Sequence, residues 1–173
     1  MDDGRGSAIF WGRVQHLVGK VGLLCASLVV SSTATLAARR VEPLPDWAES
    51  RWRAVARTRS LTRSAHLTPD VQRGDFDGDG AEDIAVLAET TTSHKVGVVF
   101  LHRRDLRVYV VGVGRTLGNG GDNLDWADSW KVQARVQKSS ARRTDAVLLE
   151  REGSGAGLLY FAGGAYHWRQ VGD

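Results

Sequence analysis

Residues 74–87 read GDFDGDGAEDIAVL, and the reading of this stretch decides the fold. Asp75, Asp77 and Asp79 stand at alternate positions, Gly80 follows, and Asp83 comes four residues after Asp79, where the chain runs into the apolar segment Ile84–Leu87. Carboxylates this close repel one another unless protons or a cation intervene. A Ca²⁺ ion answers that need, because it accepts six to eight hard oxygen ligands in flexible geometry. Numbered from Asp75, the three alternate aspartates take the first, third and fifth ligand positions, and the Ala81 carbonyl takes the seventh. Gly80 falls at the sixth, where the loop turns sharply and a side chain is unwelcome. An EF-hand needs a bidentate glutamate at position twelve, and that position is Val86. The EF-hand is excluded. The fourth carboxylate arrives early instead, as Asp83, and the chain leaves the loop as a strand. The competing reading is an acidic turn that holds no ion.

Outward from the loop, composition sets the class. A chain of 173 residues, 42% apolar and 25% charged, supports one globular domain once a targeting segment is subtracted. The net charge is only +3 and the arginines are scattered among acids, so nucleic acid is not an expected partner. Arg51, Arg53, Arg57, Arg59 and Arg63 form a weak basic cluster, read as a solvated helix face.

The N-terminal part has its own logic. Arg5, Arg13 and Lys20 precede the apolar run VGLLCASLVV at 21–30, which gives way to SSTATLAA with small residues at Thr35 and Ala37. This is the layout of a secretory signal peptide over residues 1–37, cleaved after Ala37; an uncleaved anchor is the alternative. Leu24 before Cys25 argues against a lipoprotein. Cleavage removes the single cysteine, which leaves the mature chain without a disulfide and suits an exported bacterial protein, periplasmic or secreted. Residues 38–45 read as a linker and 46–173 as the domain.

Trp47, Ala48, Trp52, Val55 and Ala56 recur at helical spacing, predicting one amphipathic helix over 46–58. Asp46 and Glu49 suggest a capping box at its start. After the loop the pattern changes to short apolar runs rich in Val, Tyr, Phe and Trp: 84–88, 95–101, 106–113, 130–136, 146–151, 157–161 and 166–171. Short turns between them imply antiparallel hairpins. The expected fold class is α+β, mostly antiparallel sheet of about seven short strands with one N-terminal helix. Seven strands are too few for a propeller.

Two further regions could carry chemistry. GNGGDNLDWADSW at 118–130 offers Asp122, Asn123, Asp125 and Asp128, without the alternate spacing of the first loop. It reads as a polar loop, with a second ion site as the alternative. Glu150 and Glu152 share one strand face and read as an exposed charged end. His66 has no partner at metal-ligand spacing. No catalytic set and no phosphate-binding loop is recognisable, so neither a catalytic residue nor an organic cofactor is assigned.

The pattern Asp-x-Asp-x-Asp-Gly-x-x-Asp at 75–83 resembles the calcium loop of FG-GAP repeats. The C-terminal stretch 145–173 is similar to the closing hairpins of small exported bacterial proteins with FG-GAP- or VCBS-repeat-like sequences. Here Tyr160-Phe161-Ala162-Gly163-Gly164 fills the aromatic strand pair and departs from it at the Trp and Asp/Asn positions. The resemblance implies a fold and an ion, not a reaction. The expected function is therefore an exported Ca²⁺-binding structural or binding module of the bacterial cell envelope, with an envelope protein or glycan as partner. Membrane contact is expected only through an uncleaved N-terminal segment. The alternative is a metal-assisted hydrolase or lyase using the Asp122–Asp128 loop.

Overall fold

Strand β3 (Asp83–Thr90) is the axis on which the other elements are hung. A computed structural model describes residues 41–136 and 143–172. The chain divides into two units, Met1–Ala37 and Ala38–Asp173, and the elements below belong to the second. The signal-peptide reading lies outside the described residues. No helix among those described is long and apolar enough to cross a membrane.

The order is α1 (Asp46–Arg59), β1 (Leu61–Arg63), β2 (Val71–Gly74), β3, β4 (Val96–Leu101), β5 (Val108–Gly112), β6 (Ser129–Val136), β7 (Arg143–Arg151), β8 (Gly155–Ala162) and β9 (Ala165–Val171). The fold is α+β and mostly β, with every strand pairing antiparallel. The described residues hold nine strands, against about seven expected, and these form two sheets. The first sheet runs β1-β3-β4-β5, with β2 also on β3; the second is the meander β6-β7-β8-β9. β1 and β2 share one edge of β3 end to end, through Leu61↔Thr90 to Arg63↔Ala88 and Val71↔Val86 to Gly74↔Asp83.

Burial explains why β3 and β4 read as unbroken apolar runs. Ile84, Val86, Ala88, Val99 and Leu101 face α1 and pack with Ala48, Trp52 and Val71. Ala85, Leu87, Val96, Val98 and Phe100 point the other way and pack with Val147, Leu149, Leu159 and Tyr166 of the second sheet. Alternate side chains of a strand leave on opposite faces, so a strand covered on both faces has no polar alternation left. The layers are helix, sheet, sheet.

Helix α1 extends one residue beyond the expected 46–58 and buries Trp52 and Ala48 as its spacing requires. The capping-box expectation is corrected. The N-cap is Pro45, whose carbonyl accepts from Ala48 N–H (2.8 Å) and Glu49 N–H (2.9 Å), with no side-chain cap. Asp46 is already helical, and Glu49 pairs with Arg53 one turn on (2.7 Å). Proline suits this boundary because its fixed φ and missing N–H cost nothing there. The segment before the helix is docked: Arg63 donates to the Glu42 carbonyl (2.6 Å), and Glu42 pairs with Arg73 (3.1 Å).

Candidate metal centre

The loop between β2 and β3 is shaped by its own aspartates. Asp75 accepts from Gly78 N–H through Oδ1 (2.9 Å) and from Gly80 N–H through Oδ2 (3.0 Å). Asp77 Oδ1 accepts from Asp79 N–H (2.9 Å), and Asp79 Oδ1 from Ala81 N–H (2.7 Å). Short acidic side chains that bond the backbone ahead of them build tight turns. Two left-handed glycines close the loop. Gly80 (φ +82°) has open space around it, whereas a Cβ on Gly78 (φ +79°) would lie 2.5 Å from Thr144 Cγ2 on β7.

The result is an acidic group able to hold a metal ion: one carboxylate oxygen from each of Asp75, Asp77 and Asp79 lies within 4.8 Å of the others. Ala81 contributes its N–H to the turn. Asp83 is fully buried, accepting from Phe76 N–H (3.1 Å) through Oδ2 and Arg103 N–H (2.9 Å) through Oδ1. Burial pushes the Asp83 carboxyl up to about 7, helped by Asp77 and Asp79 and opposed by the two amides. Asp77 is also raised, first by burial and then by its acidic neighbours. Asp83 lies outside the group formed by Asp75, Asp77 and Asp79.

The loop is held from two sides. On the second sheet, Asp145 N–H donates to the Asp75 carbonyl (2.8 Å), and Asp75 N–H donates to Asp145 Oδ2 (3.0 Å). From the β4–β5 turn, Arg104 donates to the Asp79 carbonyl (2.8 Å). The same turn supplies His102 and Asp105, neither of which stands out in the sequence. His102 is fully buried; Nδ1 lies 3.2 Å from Asp77 Oδ2 and 3.7 Å from Asp105 Oδ2, and Nε2 meets the Tyr166 hydroxyl at 2.8 Å. Burial lowers its pKa, against the pull of Asp77 and Asp105. The only signal for it was register: β3–β4 pairing at Ile84↔Leu101 carries His102 to the level of Asp83.

The Asp122–Asp128 loop is put to other uses. Asp122 pairs with Lys95, Asn123 Oδ1 accepts from Val96 N–H (2.7 Å), and Asp128 Oδ2 accepts from Glu152 N–H (3.0 Å). Asp122 and Asn123 also line a cavity of about 390 Å³ with Trp126, Arg151 and Trp168, to which residues 75–83 contribute nothing. Glu150 pairs with Lys131 (2.8 Å).

No protein-family model, curated protein or solved structure matches this chain.

Proposed function

We propose that this chain is an exported Ca²⁺-binding module of the bacterial cell envelope, structural or binding rather than catalytic, whose cation sits at Asp75, Asp77 and Asp79. The observation that carries this reading is the convergence of those three carboxylates on one backbone-wrapped loop. Hard, anionic oxygen donors are the set Ca²⁺ prefers, and Mg²⁺ fits less well because it demands a tighter octahedron and keeps its water. The Ala81 carbonyl and Asp83 complete the ligand set proposed from the FG-GAP-like spacing. A cation here neutralises the loop and, through the Asp75–Asp145 pair, strengthens the seam between the two sheets. The cavity beside Trp126 and Trp168 offers a concave face for an envelope protein or glycan. The hydrolase or lyase reading gains less support, since Asp122, Asn123 and Asp128 are engaged within the fold.

The test is a thermal melt with Ca²⁺ and with chelator. Extracellular modules bind with Kd of about 10⁻⁴–10⁻³ M. At about 1 mM free Ca²⁺ and a Kd of about 0.1 mM, linkage supplies roughly 1.4 kcal/mol. That raises Tm by about 3–6 °C. Asp79→Ala should abolish the difference. Equal melting of the wild type in both conditions defeats the calcium reading.

A further inference from the structure

We propose a second cation site, formed by Asp77, His102 and Asp105, that takes a borderline transition-metal ion such as Zn²⁺ and shares Asp77 with the calcium loop. It goes beyond the calcium reading, because its ligands include a nitrogen and a residue of a different turn.

His102 Nδ1 is buried without a hydrogen-bond partner, although two carboxylate oxygens face it. A buried polar atom in that condition is destabilising and calls for an explanation. Nε2 is already committed to the Tyr166 hydroxyl at 2.8 Å. A metal on Nδ1 requires the proton on Nε2, where the Tyr166 hydroxyl can accept it, and Nδ1 then presents a lone pair towards Asp77 and Asp105. A lone pair facing two anionic oxygens is repulsive unless a cation lies among them.

Geometry separates a metal from a proton. Ligands held about 2.1 Å from a tetrahedral ion are about 3.4 Å from one another, and each lies about 35° off its neighbour's metal–ligand bond. Asp77 Oδ2 at 3.2 Å and Asp105 Oδ2 at 3.7 Å from Nδ1 straddle that ligand–ligand spacing. A ring N–H instead needs its acceptor nearly in line, at about 2.7–3.2 Å. Here the nearer oxygen is off line and the farther one out of range. The three atoms lie within 4.8 Å of one another, as ligands of one ion do.

The chemistry agrees. Imidazole with carboxylates suits Zn²⁺ and its neighbours in the first row better than Ca²⁺, which takes oxygen. A neutral imidazole is the form that binds metal. Tyr166, buried and held as a neutral phenol, orients the ring from the other side, as outer partners of metal-bound histidines do. Asp77 Oδ1 is engaged in the calcium loop and Oδ2 faces His102, so one carboxylate can serve both cations. Asp105 sits at the exposed edge, three residues from His102, leaving an entry path and room for water as a further ligand.

The experiment titrates Co²⁺, as a spectroscopic stand-in, and then Zn²⁺ into the full chain kept saturated with excess Ca²⁺. The expected result is uptake of one Co²⁺ per chain with visible d–d absorption, displaced by Zn²⁺. Asp105→Asn, on the surface and outside the calcium loop, should weaken uptake at least tenfold while keeping the Ca²⁺-dependent melting shift. His102→Gln should do the same, and where it misfolds Asp105→Asn decides alone. Asp125→Asn should change nothing. No uptake by the wild type, or equal uptake by wild type and Asp105→Asn, overturns the site. Either result leaves the calcium reading to its own melt.

Discussion

Asp75 and Asp145 are joined by two hydrogen bonds, Asp145 N–H to the Asp75 carbonyl and Asp75 N–H to the Asp145 carboxylate. One residue opens the acidic loop of the first sheet, and the other lies on β7 of the second. The loop is therefore both a candidate ion site and the seam between the sheets. Removing the Asp145 carboxylate orphans the Asp75 N–H beside a charged loop. A hydrogen bond to a charged group contributes about 1.5–3 kcal/mol. Asp145→Ala should lower Tm by about 4–10 °C and weaken Ca²⁺ binding several-fold. Paired melts and a Ca²⁺ titration measure both; an unchanged Tm would show that the seam is held elsewhere.

The two loop glycines should respond differently to alanine. At Gly80 only backbone strain is at stake, about 1 kcal/mol, because the space around it is open. At Gly78 the same strain is joined by a 2.5 Å approach to Thr144 Cγ2. Gly78→Ala should cost about 2–3 kcal/mol, and Thr144→Ser on that background should recover part of it. Denaturant titrations of the three variants decide this. Equal losses at the two glycines would refute the role given to Thr144.

Asp83 predicts a pH dependence. Its folded pKa of about 7 lies above the ordinary 3.8, so between these values the folded state holds a proton that the unfolded state has released. Stability from this group is thus full below about 3.8 and is lost as pH rises towards 7, by roughly 4 kcal/mol at most. His102, lowered by burial, acts in the opposite sense below about 6.5, so the clean readout is a difference. In chelator, Tm of Asp83→Asn minus Tm of the wild type should rise from pH 4.5 to 7.5. In Ca²⁺ the rise should shrink, because the cation takes over from the proton. A difference that stays flat with pH in chelator would rule out the protonated buried carboxyl.

Trp168 lies across Gly157, where a Cβ would fall 1.7 Å from the indole, and meets Trp126 edge-on at 5.8 Å. Gly157→Ala must displace the indole, which should cost about 1–3 kcal/mol and reshape the cavity beside it. Tryptophan fluorescence should shift together with Tm. A spectrum and Tm like those of the wild type would contradict this packing.

What could be read from the chain depended on distance along it. The three alternate aspartates were legible because a loop ligand set is local. Helix α1 was legible because Trp52 and Val55 repeat on one face. β1 and β2 were not: LTR and VQRG are too short to show a period, and they are strands because β3 offers them an edge. The split into two sheets was also hidden, since hairpin signals pair neighbouring strands without saying where one sheet stops. His102 was the largest omission. A lone histidine 25 residues from Asp77 has no spacing to reveal it, and only the β3–β4 register brings the two together.

The meander β6–β9 uses only sequence-adjacent hairpins, whereas the Asp75–Asp145 seam joins residues 70 positions apart. Short-range pairings close early in folding and long-range ones late, because the wider loop costs more entropy to close. A cation on that seam therefore strengthens contacts absent from the transition state. Such contacts slow unfolding and leave the folding rate nearly untouched. Calcium would then lengthen the lifetime of the finished molecule without hastening its assembly, a kinetic protection suited to surroundings where a chain, once opened, meets proteases before it can close again.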